Sequence, residues 1–483
     1  MTSRRPWRVR GARAACAAAA LLLAALPWGR TAAALEPEAP PGPAAAAGDA
    51  AGSAPATPRG EDAASPAPRA PAGDNAARPS AVWTLDDVVR IALARHPLVN
   101  RADAETRAAE ARRGQAKSAY YPTVGIAAEY SRTRSFSGQP GASSTSEDES
   151  VEGTLTQVLA DFGRRGASLD RAGALRDAAR ESGRSVRQDV AFAAKVAYFD
   201  VLRAGQILSV QKETVAQRES LVTRSNAYYD AGIRARIDVV RSEANLYAAR
   251  ADLASAESAL KVARITLLRR MGIDWPTEYD LSYTGSTAGL DGGLAGWILE
   301  AEENRPGLKA LMAQERAAEN AVSAARAGRN PVLTGAGSYG YAADEPPLRQ
   351  NYDVSVQLAL PVFTGFLVRE QIAEAEAVLA SARSAVTDER RAVRLEVEEA
   401  ALAVEETGRR IEARRKEKEA SEENLRLATA RYQVGAGDII EMIDAQVQAT
   451  RADTSLIEAL FDRDVASARL LRAIGREPGG RPQ

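Results

Sequence analysis

The sequence has one cysteine, Cys16, and one histidine, His96, in 483 residues. That excludes a disulfide framework, a Cys/His zinc site and a histidine-based catalytic triad. Aromatic residues make up 5% of the chain, which argues against an all-β protein. Neither sign of charge dominates: 63 Lys and Arg stand against 64 Asp and Glu, so the overall basic footprint of a nucleic-acid binder is missing. Proline is absent from two long stretches, between Pro140 and Pro276 and between Pro361 and Pro478. A carboxylate-only hydrolase survives these exclusions, but no pocket-like loop constellation for one is visible. Binding or transport is the leading reading, and a cofactor is not expected.

The N-terminus reads as a targeting segment. Arg4, Arg5, Arg8, Arg10 and Arg13 precede an apolar run from Ala14 to Leu26, short for a membrane span and of signal-peptide length. Ala32-Ala33-Ala34 supplies a small-residue cleavage site, so residues 1–34 are assigned to a signal peptide and Cys16 is removed with it. A lipid anchor on Cys16 is disfavoured, because its apolar run follows the cysteine and Arg13 stands where a lipobox needs leucine. Residues 35–82 carry ten prolines among Ala, Gly and Ser, with no periodic apolar face, the composition of a disordered linker. Residues 476–483 are read as a disordered tail.

Between these ends the chain matches itself. Leu267-Leu268-Arg269 and Gly272 recur as Leu470-Leu471-Arg472 and Gly475, an offset of 203 that also relates Gly232 to Gly435 and Asp238 to Glu441. Pro97 and Pro122 recur as Pro306 and Pro331, an offset of 209. The difference falls in the polar stretches 133–150 and 342–351, which are expected to be surface loops. The expectation is two structural repeats, 83–275 and 295–475, joined by an equatorial connection at 276–294. Each has the order helix, strand pair, long helical hairpin.

Local signals support that order. Thr84 and Asp87 have capping-box spacing ahead of Leu85, Val88, Val89 and Ala92. Pro122 and Pro331 end helices, and period-two alternation follows, in Val124, Ile126, Ala128 and Tyr130 and again in Tyr352, Val354, Val356, Leu358 and Leu360. From 163 to 231 and from 366 to 434 the chain is rich in Ala, Glu, Arg, Leu and Gln, which predicts two helices of roughly 100 Å. Gly232, and Gly435 with Gly437, then turn the chain into a returning helix.

Four strands of about ten residues have transmembrane length, while no helix is apolar enough to span a bilayer. Lipid tolerates no open sheet edge, so the four strands must close against other subunits. Tyr120, Tyr121, Phe162, Phe363 and Phe366 lie where strands meet helices, the place of an interfacial aromatic girdle. The alternative is a soluble hairpin packed on a coiled coil.

This doubled order resembles the TolC-type outer membrane efflux proteins (outer membrane factors). The closest likeness is at the second tip, Tyr432-Gln-Val-Gly435-Ala-Gly437-Asp438-Ile-Ile-Glu441-Met-Ile-Asp444, with a weaker first copy from Ala231-Gly232 to Asp238. Leu85 through His96-Pro97 is similar to the family's Leu-x-x-Ala-Leu-x-x-Asn-Pro, with His96 in place of Asn. The resemblance implies a mainly α, mixed fold: a homotrimer whose helical hairpins form an α-barrel continuous with a 12-stranded transmembrane β-barrel. It implies a passive exit duct in the outer membrane of a Gram-negative bacterium, reaching into the periplasm and serving a tripartite efflux or type I secretion system. The implied partners are a periplasmic adaptor, an inner-membrane pump and outer-membrane lipid, with no nucleic acid. The competing function is a periplasmic coiled-coil adaptor.

Single residues are weighed against plainer roles. Glu441 and Asp444 lie three apart and share a helix face, so in a ring they form carboxylate rings that favour cations. Glu441 also has capping-box spacing from Asp438. The resemblance assigns both acids to the pore gate, and Tyr432 and Asp238 to the latch that holds it shut. Where the resemblance implies an arginine in the latch this chain has Gly437, and Arg234 or Arg236 is the expected substitute. Gly232, Gly435 and Gly437 are the tip turns that meet a partner. His96 is expected to cap a helix and not to bind metal, Met442 to pack at the tip, and the Arg-rich run 409–416 to pair with neighbouring glutamates.

Overall fold

The structure is a computed structural model that describes residues 81–136, 143–274, 279–283, 292–343 and 349–476. The expected signal peptide, nearly all of the 35–82 linker, Cys16, the tail beyond Arg476 and most of the 276–294 connection lie outside these residues. The first repeat region contains β1 (Ala81–Trp83), α1 (Leu85–Arg95), α2 (Pro97–Ser118), β2 (Thr123–Phe136), β3 (Ser143–Ala160), α3 (Arg164–Asp230) and α4 (Arg236–Arg270). There follow β4 (Tyr279–Leu281), α5 (Leu294–Asn304), α6 (Pro306–Ala327), β5 (Val332–Ala343), β6 (Arg349–Ala359), α7 (Leu367–Gln433) and α8 (Ile439–Ala473).

Thr84 starts α1 with a complete capping box: its Oγ1 accepts from the Asp87 N–H at 3.3 Å, and its own N–H donates to Asp87 Oδ2 at 3.3 Å. Pro97 then opens α2 at the first helical position, where a missing N–H costs nothing. It forces His96 into extended backbone, and His96 Nδ1 accepts from the Leu98 N–H at 3.2 Å, so the histidine caps α2. Arg305 stands at the same break before α6, also extended, without a side-chain cap.

The helices come in pairs of equal length. α1 and α5 have 11 residues, α2 and α6 have 22, α3 and α7 have 67, and α4 and α8 have 35. The strands do not: β2 and β3 have 14 and 18 residues, β5 and β6 have 12 and 11. This corrects two expectations. β2 and β3 run well past about ten residues, and much of 133–150 is not a surface loop but ladder, with Thr133 opposite Ser146 and Arg134 opposite Thr145. The pairing uses backbone groups that polar side chains leave intact, and Ser and Thr alternate through it as readily as apolar residues.

The four longer strands form one antiparallel sheet in the order β2-β3-β5-β6, leaving one edge each of β2 and β6 without a strand partner among the described residues. Val124, Ile126, Tyr130, Tyr352, Val354, Val356 and Leu358 are all exposed on it. Next to the sheet the helices pack in the order α2-α3-α6-α7, and towards the tips in the order α4-α3-α8-α7. Between these levels each repeat has its own core. Val88, Tyr198, Phe199, Leu267 and Met271 build one, closed by the parallel β1–β4 pair and the Trp83–Tyr279 stack at 4.8 Å. Ala301, Val393, Val397, Leu470 and Ile474 build the other. Each fully buried Leu or Phe contributes roughly 1.5–3 kcal/mol.

Candidate functional site

Both helical tips close the same way. Gly232 (φ 69°) and Gly435 (φ 79°) follow the ends of α3 and α7 in the left-handed region. The next N–H reaches back five residues, Ile233 to the Tyr228 carbonyl and Ala436 to the Arg431 carbonyl, each at 2.9 Å. This satisfies the last helical carbonyls and needs a residue without a Cβ penalty at the turn. Gly437 is constrained by space instead: a Cβ there would stand 3.1–3.2 Å from Arg431 and the Tyr432 backbone.

Arg234 links the two tips. Its Nη2 donates to the Gly437 carbonyl at 3.1 Å and to the Tyr432 carbonyl at 3.4 Å. Its guanidinium lies 5.0 Å from the Tyr432 ring centre, a cation–π contact. Of the two arginines expected as substitutes, Arg234 makes the connection. Arg236 is exposed at the start of α4 with no partner among the described residues. The Tyr432 ring is buried with Leu221, Ile439 and Met442, beside Tyr228.

Tyr432 and Asp238, expected together in the latch, make no hydrogen bond to each other. The Tyr432 hydroxyl is buried without a hydrogen-bond partner among the described residues, as is the Oγ of nearby Ser225. Burial pushes the Tyr432 phenol up, and the Asp238 carboxylate pushes it further up. Asp238 is buried in the first turn of α4 and acts on Tyr432 through space.

Glu441 and Asp444 are exposed on α8, either side of buried Met442. Glu441 does not cap the helix. Asp438 bonds its neighbour's N–H, Ile439, at 2.6 Å, and Glu441 instead pairs across the turn with Arg431 at 3.2 Å. Both members of that pair are exposed, so it contributes little stability, and Asp444 has no ion-pair partner among the described residues. Above the tip the α3–α8 seam is polar: Thr214 meets Thr450 at 3.3 Å, and buried Arg218 donates to buried Gln446. Burial lowers the Arg218 pKa.

At the other end, the strand-to-helix junctions are strained alike. Phe162 (φ 51°) and Gly163 (φ 100°) precede α3; Gly365 (φ 60°) and Phe366 (φ 67°) precede α7. A phenylalanine in this region costs roughly 1–2 kcal/mol. The strain turns Phe162 and Phe366 outward with Phe363, Tyr120 and Tyr121, all exposed beside the sheet. Arg165 clamps the first junction. It bonds Asp161 at 3.1 Å and the carbonyls of Val158, Ala119 and Leu159 at 2.7, 3.2 and 3.3 Å, under the Tyr120 ring. Sequence reasoning missed Arg165, Arg218 and Arg431. The repeat does not mark Arg165, since Val368 stands at its place in the second copy.

The sequence profile described as "Outer membrane efflux protein" matches residues 88–272 and 297–476, and the chain belongs to that family. Its members are transport proteins of the outer membrane, not enzymes. Protein CyaE of Bordetella pertussis is 30% identical over 301 residues, 60% of this chain and 62% of that protein, so the match spans less than two thirds of CyaE. Outer membrane protein TolC of Escherichia coli is 23% identical over 413 residues, 81% of this chain and 82% of TolC. The Campylobacter jejuni CmeC outer membrane channel superposes with a TM-score of 0.74 at 15% identity, covering 82% of this chain and 87% of that one, a likeness of fold.

Proposed function

We propose that three copies of the chain close into a duct that spans the outer membrane as a 12-stranded β-barrel and continues through the periplasm as an α-barrel. The reading rests chiefly on one observation: among the described residues β2 and β6 each lack a partner on one side of a sheet whose apolar face is exposed. In lipid those edges must be satisfied. β6 of one copy runs antiparallel to β2 of the next, so the sheet extends around a ring without a change of pattern. The helices support the same ring, since exposed Ile237, Val240, Tyr247, Val262 and Ile265 stripe α4 at one edge of the layer, and Leu395 and Leu402 stripe α7 at the other.

The duct is passive and is held shut at its tips, where Arg234 ties the hairpins and the Glu441 and Asp444 carboxylates ring the pore. An adaptor and an inner-membrane pump engage the exposed turns around Gly232 and Gly435. A periplasmic adaptor would have no use for four paired strands of membrane length. Reconstitution of the purified full chain into planar bilayers tests the proposal. Stable unitary conductance steps are expected; protein that inserts without conducting, or fails to insert, overturns it.

A further inference from the structure

A polar cleft of about 310 Å³ opens on α3 between α2 and α6. Gly173 and buried Ala174 form its floor, and arginines rise on opposite walls, Arg113 from α2 and Arg316 from α6. Arg113 lies across the floor: a Cβ on Gly173 would stand 3.8 Å from its Nε.

The charges in this cleft are unequal. Arg176 is already spent on its neighbour, bonding Asp177 Oδ1 at 2.6 and 3.1 Å. Arg113 and Arg316 make no ion pair among the described residues, whereas Arg187, Arg326, Arg383 and Arg394, on the same group of helices, all do. Asp170 is the one remaining carboxylate in the lining, and it bonds neither arginine. One positive charge is left over. The Asn320 amide adds a neutral donor beside Arg316.

We propose that this cleft binds a phosphate group. Arg113 reaching over Gly173 from one wall, and Arg316 with Asn320 on the other, bring two guanidinium forks and an amide to one cleft; that donor set suits a tetrahedral oxyanion, whereas a planar carboxylate is satisfied by one fork. The cleft begins about 7 Å along α3 from the strand junction and ends about 20 Å along it, at 1.5 Å per residue. Its near end therefore falls within reach of the headgroup layer, which lies just outside the roughly 30 Å hydrocarbon core. A lipid headgroup phosphate and a soluble phosphate are the two sources of that chemistry. Only the lipid source rests on the membrane reading above.

The test uses the full chain in detergent, titrated calorimetrically with inorganic phosphate at low ionic strength. Arg113→Gln and Arg316→Gln are each expected to weaken binding about tenfold, the loss of one charge-assisted contact. Asp170→Asn is expected to tighten it, a gain that misfolding cannot produce. Native mass spectrometry after exchange into phosphatidylglycerol or phosphatidylcholine identifies the source. Lipid retained by the parent and lost from the double arginine variant assigns a headgroup; phosphate binding lost with lipid retention unchanged assigns a soluble anion. No phosphate binding, equal affinity in the parent and the double variant, or an Asp170→Asn variant that binds no tighter, overturns the site, whatever the protein does in bilayers.

Discussion

Arg234 donates a hydrogen bond to the carbonyl of Gly437, the residue 203 positions later that occupies its own place in the second repeat. The duplicated tips have diverged into a donor and an acceptor. A side chain at 437 would need the end of α7 to give by a few tenths of an ångström, since its Cβ would stand 3.1–3.2 Å from Arg431 and Tyr432. The tips interlock because the first presents a long side chain and the second a bare backbone carbonyl.

Arg234→Ala is therefore expected to loosen the closed tip by about 1–3 kcal/mol, the loss of two hydrogen bonds from a charged donor. It should raise single-channel conductance. Tyr432→Phe alone should change little, because the hydroxyl has no partner to lose. Tyr432→Leu should loosen the tip by removing the ring beneath Arg234. Equal conductance in the parent and Arg234→Ala would remove this residue from the latch.

The acidic face of α8 gives a separate expectation. Glu441→Ala with Asp444→Ala should weaken channel block by multivalent cations, because a ring of exposed carboxylates is their site. Glu441 shares its charge with Arg431 and Asp444 does not, so Asp444→Ala should have the larger single effect. Unchanged block in the double variant would make these residues an ordinary helix surface.

Much of the fold was legible because it is written in local punctuation. Thr84, Pro97, Gly232 and Gly435 act within a few residues of themselves, so their spacing predicts the helix ends that the structure has. The polar ends of β2 and β3 were not legible, since backbone pairing depends on a partner strand more than on side-chain pattern. The tip contacts were legible only by type. Sequence nominates Arg234 and Arg236 equally, and only the packing of α7 against the first tip decides between them. Arg165 was invisible, because it bonds carbonyls that any residue could supply.

Arg165 supplies a stability prediction. Arg165→Met leaves the carbonyls of Ala119, Val158 and Leu159 without this donor and Asp161, itself buried, without its cation. Breaking such a buried pair costs about 3–5 kcal/mol. A lower thermal unfolding midpoint is expected, with Val368→Ala in the second repeat much milder. Equal midpoints in the two variants would show that the clamp carries no weight.

His96 gives a pH dependence, made clean by its being the single histidine. Burial, then the nearby Arg270 charge, hold its pKa below the ordinary 6.5. The unfolded chain therefore takes the proton first, and stability falls as pH drops through about 6.5. His96→Asn keeps an acceptor for the Leu98 N–H without titrating. Unfolding midpoints at pH 7.5 and 5.5 should separate more for the parent than for this variant; equal separations would refute the assignment.

The central claim is that the free edges of β2 and β6 are closed by further copies of this chain. Its most direct test is the native mass of the purified mature protein in detergent. The account predicts a stable particle of three chains, enough to bring four strands to twelve. A stable monomer with the sheet intact would contradict both the barrel and the duct.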